Sequence, residues 1–396
     1  MKALVILENH FLKDGVGKIW CERVVDYNYL KRYLEVFSSI VVCGRCSDIK
    51  EADKSKLLEV SGRGVNFLPL PDFKGSKGFL KNYCRIQKLI NGILGQVDCV
   101  IMRAPTHLAI AAYPVVMKKS VPFALEFMMA ANRMVEGMGP LKYIVNPVID
   151  YRFKKMCKKA DGVSYVTERI LQERYPCRAI LEPGKKSFFT ANYSSIDLLD
   201  DFYCERSITP TKEDCRLIHV GYMDSERKGQ DIVISAVNEL RRAGYNVSLT
   251  LVGDGDKRKD FEELAQTQGI TKYVRFYGSI NSKKELAKVL RGADLFVFPT
   301  TSEGLPRVVI EAMANSLVCL ATPVDGIPEL LDESFLVRRD PKVYAQKIKY
   351  LLAHPEKIKK NSKNNYKKSL DYRKELIDHK RRMFYNELKE KCKNND

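Results

Sequence analysis

The chain alternates short apolar runs with longer amphipathic stretches, and it does so twice; no other feature constrains its fold as much. In the first half the apolar runs are KALVILE (2–8), SSIVVCG (38–44), DCVIMRA (98–104), PFALEF (122–127) and GVSYV (162–166). In the second half they are CRLIHVG (215–221), NVSLTLVG (246–253), VRFYGS (274–279), DLFVFPT (294–300) and VCLAT (318–322). Between them lie stretches of helical period, among them GKIWCERVVDYNYLKRYLEVF (17–37), KGQDIVISAVNELRRAG (228–244) and RKDFEELAQTQG (258–269). Apolar strands separated by helices predict βαβ units and parallel sheets covered on both faces. Two such runs predict two doubly wound α/β domains. The expected divisions are an N-terminal domain over 1–190, a polar, aperiodic linker over 191–210 and a C-terminal domain over 211–354. A Lys-rich helical tail follows over 355–396.

Composition narrows the class. With 396 residues, 45% hydrophobic and 29% charged, the chain is neither disordered, collagen-like nor a small disulfide scaffold. The apolar stretch LAIAAYPVVM (108–117) is too short to span a bilayer, and MKALVILENH lacks the features of a signal peptide. The eleven cysteines scatter without framework spacing, as expected in a reducing compartment. Cys43-Gly44-Arg45-Cys46 has no second pair or nearby His to complete a zinc site, and reads as a strand end followed by a loop. A soluble cytoplasmic protein is the expectation. Its formal charge is +18, unevenly spread. Residues 1–200 carry 31 basic and 20 acidic side chains, residues 201–353 carry 22 of each, and residues 354–396 carry 14 and 7.

The segment richest in chemistry is DLFVFPTTSEGLPRVVIEAMANSLVCLATPVDGIPEL (294–330). A buried strand runs into a polar loop, and a helix starts near Pro306. Free N–H groups at a helix start suit a phosphate, and a carboxylate such as Glu303 or Glu311 accepts hydrogen bonds from vicinal hydroxyls. Glu311 lies in the apolar helix VVIEAMA, where an unpartnered buried carboxylate would be costly.

This segment closely resembles the retaining nucleotide-sugar glycosyltransferases of the GT-B fold, family 4. Their signature is a Glu, seven residues and a second Glu followed by a helix like EAMA, matched here by SEGLPRVVIEAMA. HVGYMDSERKGQD (219–231), LVGDGDKRKDFEELA (251–265) and VRFYGSI (274–280) resemble, in order, the family's diphosphate loop, second strand with helix start, and base-holding strand. The resemblance covers 211–335 well and the N-terminal half more loosely. It implies two Rossmann-like domains facing each other across a cleft. It also implies a nucleotide-diphosphate sugar as donor, transfer to an acceptor hydroxyl with retention, and no metal or other cofactor.

Carried onto this sequence, the resemblance gives Glu311 the ribose and Glu303 the donor sugar at the catalytic centre. Backbone N–H groups near Gly304 and Leu305 face the sugar and phosphates, and Tyr277 and Gly278 border the base. Lys228 pairs with the leaving diphosphate. Tyr222 stands where the family usually has Arg, and Arg227 is expected to compensate. KDGVGKIW (13–20) resembles the Gly-rich loop after the first strand, with Gly15 and Gly17 approaching the donor. Glu126 stands near the position of a mid-domain His and is expected at the active site, with His107 as the weaker alternative. Asp254-Gly255-Asp256 has a D-x-D form but lies in a strand-to-helix loop, so no metal site is expected, and no full G-x-G-x-x-G fingerprint occurs.

The acceptor is argued from surface chemistry. Residues 141–160 combine Tyr143, Ile144, Val148 and Phe153 with Arg152, Lys154, Lys155, Lys158 and Lys159. Such a stretch suits an anionic membrane, and hence a lipid-linked or oligosaccharide acceptor in capsule, O-antigen or exopolysaccharide assembly, at the inner face of the cytoplasmic membrane. The alternatives are a protein that binds a nucleotide-sugar without transferring it, and a basic nucleic-acid binder. The latter lacks any recognition motif, so no nucleic-acid partner is expected.

Overall fold

The structure, a computed structural model, describes residues 1–22, 24–49, 54, 57–135, 138–185 and 187–393. It contains two compact units, Met1–Tyr193 with Asp378–Asp396, and Ser194–Ile377.

The first unit begins with strand β1 (Lys2–Lys13), the short β2 (Ile19–Cys21), helix α1 (Tyr27–Leu34), β3 (Ser39–Asp48), the two-residue β4 (Leu58–Glu59) and β5 (Val65–Pro71). It continues through α2 (Gly75–Leu94), β6 (Cys99–Ala104), α3 (His107–Lys119), β7 (Phe123–Phe127), α4 (Lys142–Lys159) and β8 (Gly162–Tyr165). Two short helices, α5 (Ile170–Arg174) and α6 (Arg178–Leu181), lead to β9 (Phe189–Asn192). Its main sheet is parallel in the order β5-β3-β1-β6-β7-β8-β9. Residues 3–7 of β1 are fully buried, as a central strand covered on both faces must be. The strand order reverses between β1 and β6, where crevices form at the carboxyl ends of strands.

The helix expected over 17–37 is not continuous. Ile19–Cys21 turns back as β2 against the far end of β1, Phe11 opposite Cys21, and the helix starts only at Tyr27, capped by Asp26. The β-branched and aromatic residues of IWC pair as a strand more readily than they complete a helix. Likewise β3 runs through both cysteines of the C-x-x-C, whose thiols are free. Burial raises the pKa of both, that of Cys46 to about 11, so neither is a ready thiolate.

The second unit follows the expected pattern strand by strand: β10 (Cys215–Val220), α7 (Gln230–Arg242), β11 (Val247–Val252), α8 (Arg258–Thr267) and β12 (Val274–Gly278). Then come α9 (Lys283–Arg291), β13 (Leu295–Phe298), α10 (Arg307–Met313), β14 (Val318–Ala321), α11 (Ile327–Leu330), α12 (Pro341–Leu352) and α13 (Pro355–Ser369). The sheet is parallel, β12-β11-β10-β13-β14, with LFVF and VCLA wholly buried. Ser194–Pro210 counts with this unit, and it is wired there rather than loose. The Arg206 guanidinium donates to the carbonyls of Asn315 (3.1 Å) and Ala293 (2.5 Å). Helix α13 belongs to this unit too, and of the last helix, α14 (Lys374–Lys393), the residues from Asp378 count with the first. Residues 394–396 of the expected tail lie outside the described residues.

Candidate functional site

In the second unit the loops leaving β10 and β13 meet. After β10 a short 3-10 turn, Glu226–Lys228, is closed by Gly229 at φ 83°. A side chain at Gly229 would place its Cβ 2.3 Å from the Pro299 carbonyl oxygen, so only glycine lets the two loops pack. Thr301 N–H then donates to the Arg227 carbonyl at 3.0 Å. This brings Lys228 Nζ to 2.5 Å from Glu303 Oε1, and Arg227 Nη1 to 3.1 Å from the Ser302 carbonyl and 3.5 Å from the same Glu303 oxygen. Thr300 Oγ1 donates to that oxygen at 2.9 Å, and the Glu303 N–H donates to Asp325 at 2.6 Å. Glu303 is buried and Lys228 nearly so, so that either charge left without the other or a substitute would be costly.

Behind this cluster the strand ends approach at glycines. A Cβ on Gly253 would fall 2.1 Å from the Gly221 carbonyl oxygen, and the Gly253 N–H donates to the Gly278 carbonyl at 2.9 Å. The Asp254-Gly255-Asp256 loop supports residues 221–224: Met223 N–H donates to the Asp254 carbonyl and Lys257 N–H to the Met223 carbonyl. Gln230, fully buried, donates to the carbonyls of Gly221 and Tyr222. His219 is buried in the same place, its Nδ1 2.8 Å from the Val297 carbonyl and its Nε2 without a partner. Burial, with Lys228 adding, pulls its pKa down to about 4. It is therefore neutral at pH 7.

Glu311 is buried on α10 and ion-paired to Lys283 at the start of α9. Two residues on, Glu285 accepts from the Tyr277 hydroxyl at 3.1 Å, so one helix start reaches both Glu311 and Tyr277. Thus direct contacts join Arg227, Lys228 and Glu303, and α9 links Glu311 with Tyr277. Gly304, through its carbonyl, accepts from Gly326 N–H at 2.9 Å, Leu305 is buried, and Tyr222 is half-exposed. Helix α10 has seven residues, which limits the dipole at its start. Sequence reasoning missed Lys283, Thr300, Asp325 and His219. Only Lys283 carried a signal, as the first residue of a helix opened by the cap Ser282.

The first unit treats its candidates differently. Gly15 and Gly17 sit at the tip of the β1–β2 hairpin with open space around them. Asp14 organises that turn, accepting from the N–H groups of Val16 and Lys18, from Trp20 Nε1 at 3.0 Å and from Lys54 at 2.9 Å. The Lys54 hydrogen bond, chiefly, holds its pKa down at about 2. This is a hairpin rather than the strand-to-helix loop that was expected, because β1 continues to Lys13. Glu126 is buried inside β7, and both oxygens are occupied, by the hydroxyls of Tyr33 (3.0 Å) and Tyr385. The geometry makes it an internal anchor for α1 and α14. His107, in contrast, begins α3 beside the strand-order reversal, partly exposed. Its Nδ1 lies 2.8 Å from Glu8 Oε1 on β1, and its Nε2 lies 3.5 Å from Ser76 Oγ at the start of α2. Among the described residues, no group of three or more His, Cys, Asp or Glu side chains could hold a metal ion.

Comparison with known proteins fits this geometry. Residues 214–354 match the family described as "Glycosyl transferases group 1". Protein CapJ of Staphylococcus aureus is 26% identical over 333 residues, 84% of this chain and 79% of its own. The capsular polysaccharide biosynthesis glycosyltransferase CapH of the same species is 28% identical over 160 residues, 39% of this chain and 44% of its own. HepE of Anabaena, solved in complex with UDP and glucose, superposes with a TM-score of 0.63 at 16% identity, over 96% of this chain and 97% of its own. The fold is GT-B, and residues 214–354 are similar to the group 1 glycosyltransferases.

Proposed function

We propose, from the similarity of residues 214–354 to the group 1 glycosyltransferases, that the chain moves a sugar from a nucleotide-diphosphate sugar to an acceptor hydroxyl with retention. The observation that carries this reading is the buried Lys228–Glu303 pair joined by Arg227, held where the loops after β10 and β13 meet at the reversal of strand order. In this reading the donor diphosphate draws Lys228 and Arg227 away from Glu303, which is then free to accept from the donor sugar. The leaving diphosphate is stabilised by these two cations and by loop N–H groups, without a metal. Glu311 meets the ribose hydroxyls, released from Lys283.

The acceptor proposed is a lipid-linked saccharide of surface-polysaccharide assembly. Helix α4 supports it: Tyr143 (74%), Ile144 (72%) and Tyr151 (66%) are exposed apolar groups beside Lys142, Arg152, Lys155 and Lys159. Relatives that include a capsular polysaccharide biosynthesis glycosyltransferase support the same reading.

The test is turnover with a panel of nucleotide-sugars by the chain and by Glu311→Ala. Transfer or donor hydrolysis by the parent, reduced by about 100-fold or more in the variant with thermal stability retained, is expected. Unchanged turnover in Glu311→Ala would sink the assignment.

A further inference from the structure

Helices α12 and α13 of the second unit, with residues 330–335, border a half-open cavity of about 510 Å³, lined among others by Phe335, Lys347, Tyr350, Lys357 and Lys360. None of its lining residues belongs to the Glu303 cluster. Its charge is one-sided. Lys347 Nζ lies 5.0 Å from the centre of the Tyr350 ring and 5.5 Å from that of Phe335, and Lys357 Nζ lies 4.6 Å from the same Tyr350 ring and donates to its hydroxyl. Two ammonium groups therefore converge on one aromatic side chain, and Lys360 and Lys368 join them on the wall.

The one carboxylate on the lining is Asp332. Its Oδ1 is taken by the Ser334 N–H at 2.9 Å and the Ser334 hydroxyl at 2.6 Å. Among the described residues no carboxylate lies within ion-pair distance of Lys347, Lys357 or Lys360, and Asp332 acts on Lys347 and Lys360 only from further off. Like charges held this close, one of them half-buried, are stabilised by an anion that accepts from several at once. Burial, with Lys357 adding, already pulls the Lys347 pKa down. The remaining wall offers a ring C–H group the exposed part of Tyr350, whose ring also packs on His354 with centroids 4.3 Å apart, and the edge of the largely buried Phe335. The space is also far larger than one charged group needs, since a water's share of liquid volume is about 30 Å³.

We propose that this cavity binds a phosphate-bearing saccharide, the phosphate meeting Lys347, Lys357 and Lys360 and the sugar ring lying against the exposed part of Tyr350. The proposal stands on these residues alone and does not depend on the glycosyl-transfer reading.

Titration calorimetry of the full chain with glucose 1-phosphate, inorganic phosphate and glucose tests it, alongside the K347Q/K360Q variant and Lys228→Gln. Glucose 1-phosphate should bind at least about tenfold tighter than inorganic phosphate, and K347Q/K360Q should weaken it by about tenfold or more while Lys228→Gln leaves it unchanged. Equal affinity for phosphate and glucose 1-phosphate overturns the saccharide part. Absence of binding, affinity kept in K347Q/K360Q, or affinity lost only in Lys228→Gln overturns the site. Lys360 is exposed and Lys347 half-buried, and matching melting curves of parent and variant exclude misfolding as the cause.

Discussion

At the scale of single residues, the second unit holds a histidine that should govern its acid stability. His219 is fully buried against Val297 and Phe298, with its pKa pulled from 6.5 to about 4 by burial. In the unfolded chain the same imidazole takes up a proton near 6.5. As pH falls below 6.5 the unfolded state gains a proton that the folded state refuses, so stability drops until about pH 4 and then stops changing on this account. The shift corresponds to about 3 kcal/mol. Urea unfolding of the chain and of His219→Gln at pH 7 and pH 4.5 checks it: the parent should lose more stability than the variant. Equal losses would mean that the histidine is not the controlling group. The same residue explains what the sequence left unread. IHVG reads as an ordinary strand end, and nothing in it announces an imidazole with one nitrogen unpartnered.

At the scale of elements, α14 is legible as a helix, but its purpose is not. Its Tyr385 reaches Glu126, 259 residues earlier, and stacks on Tyr33 with ring centroids 5.2 Å apart. No local pattern encodes such a long-range partner, which is why Glu126 reads in sequence as an active-site carboxylate. Burying that carboxylate is tolerable because two hydroxyls donate to it and Arg103 and Arg381 lie close enough to act on the cluster's charges. Tyr385→Phe removes one donor, fills nearly the same volume, and should cost about 1–3 kcal/mol. Thermal unfolding would read this as a lower midpoint, and an unaltered midpoint would show that Tyr33 and the arginines suffice. In contrast, β10 to β14 follow the sequence pattern closely, and most plainly β13 and β14, since parallel strands buried on both faces are written as apolar runs. The hairpin at Asp14–Lys18 was less legible: Gly15 and Gly17 fit a phosphate loop as well as a turn. The Asp14 hydrogen bonds that decide for the turn depend partly on Lys54, far along the chain.

At the scale of the whole molecule, the distribution of charge changes meaning once the units are known. The Lys-rich segment 355–369 folds as α13 in the second unit, so the basic tail is not a single feature of one side. The first unit, residues 1–193 with 378–396, keeps most of the surplus, and α4 gives it a place. Over Leu141–Tyr151 the exposed side chains are Leu141, Lys142, Tyr143, Ile144, Pro147, Val148 and Tyr151; of these Leu141, Ile144, Val148 and Tyr151 are three or four residues apart and share one face, and none of Lys142–Arg152 is buried. Over the next turns the same face carries Arg152, Lys155 and Lys159, while Phe153, Met156 and Cys157 hold the helix to the core. An apolar half followed by a basic half is what a surface anchor needs: the first enters the headgroup region and the second meets anionic lipid, at about 1 kcal/mol per basic residue. Flotation with vesicles containing phosphatidylglycerol should therefore recover the chain at low salt and lose it at high salt, while neutral vesicles recover little. Arg152, Lys155 and Lys159 changed together to Gln should abolish the salt-sensitive part. The I144E/V148E variant should weaken binding at every salt concentration, because it removes the apolar contribution. Binding to neutral and anionic vesicles alike, or binding untouched by both sets of changes, would place the membrane contact elsewhere and leave the exposed face of α4 without this role.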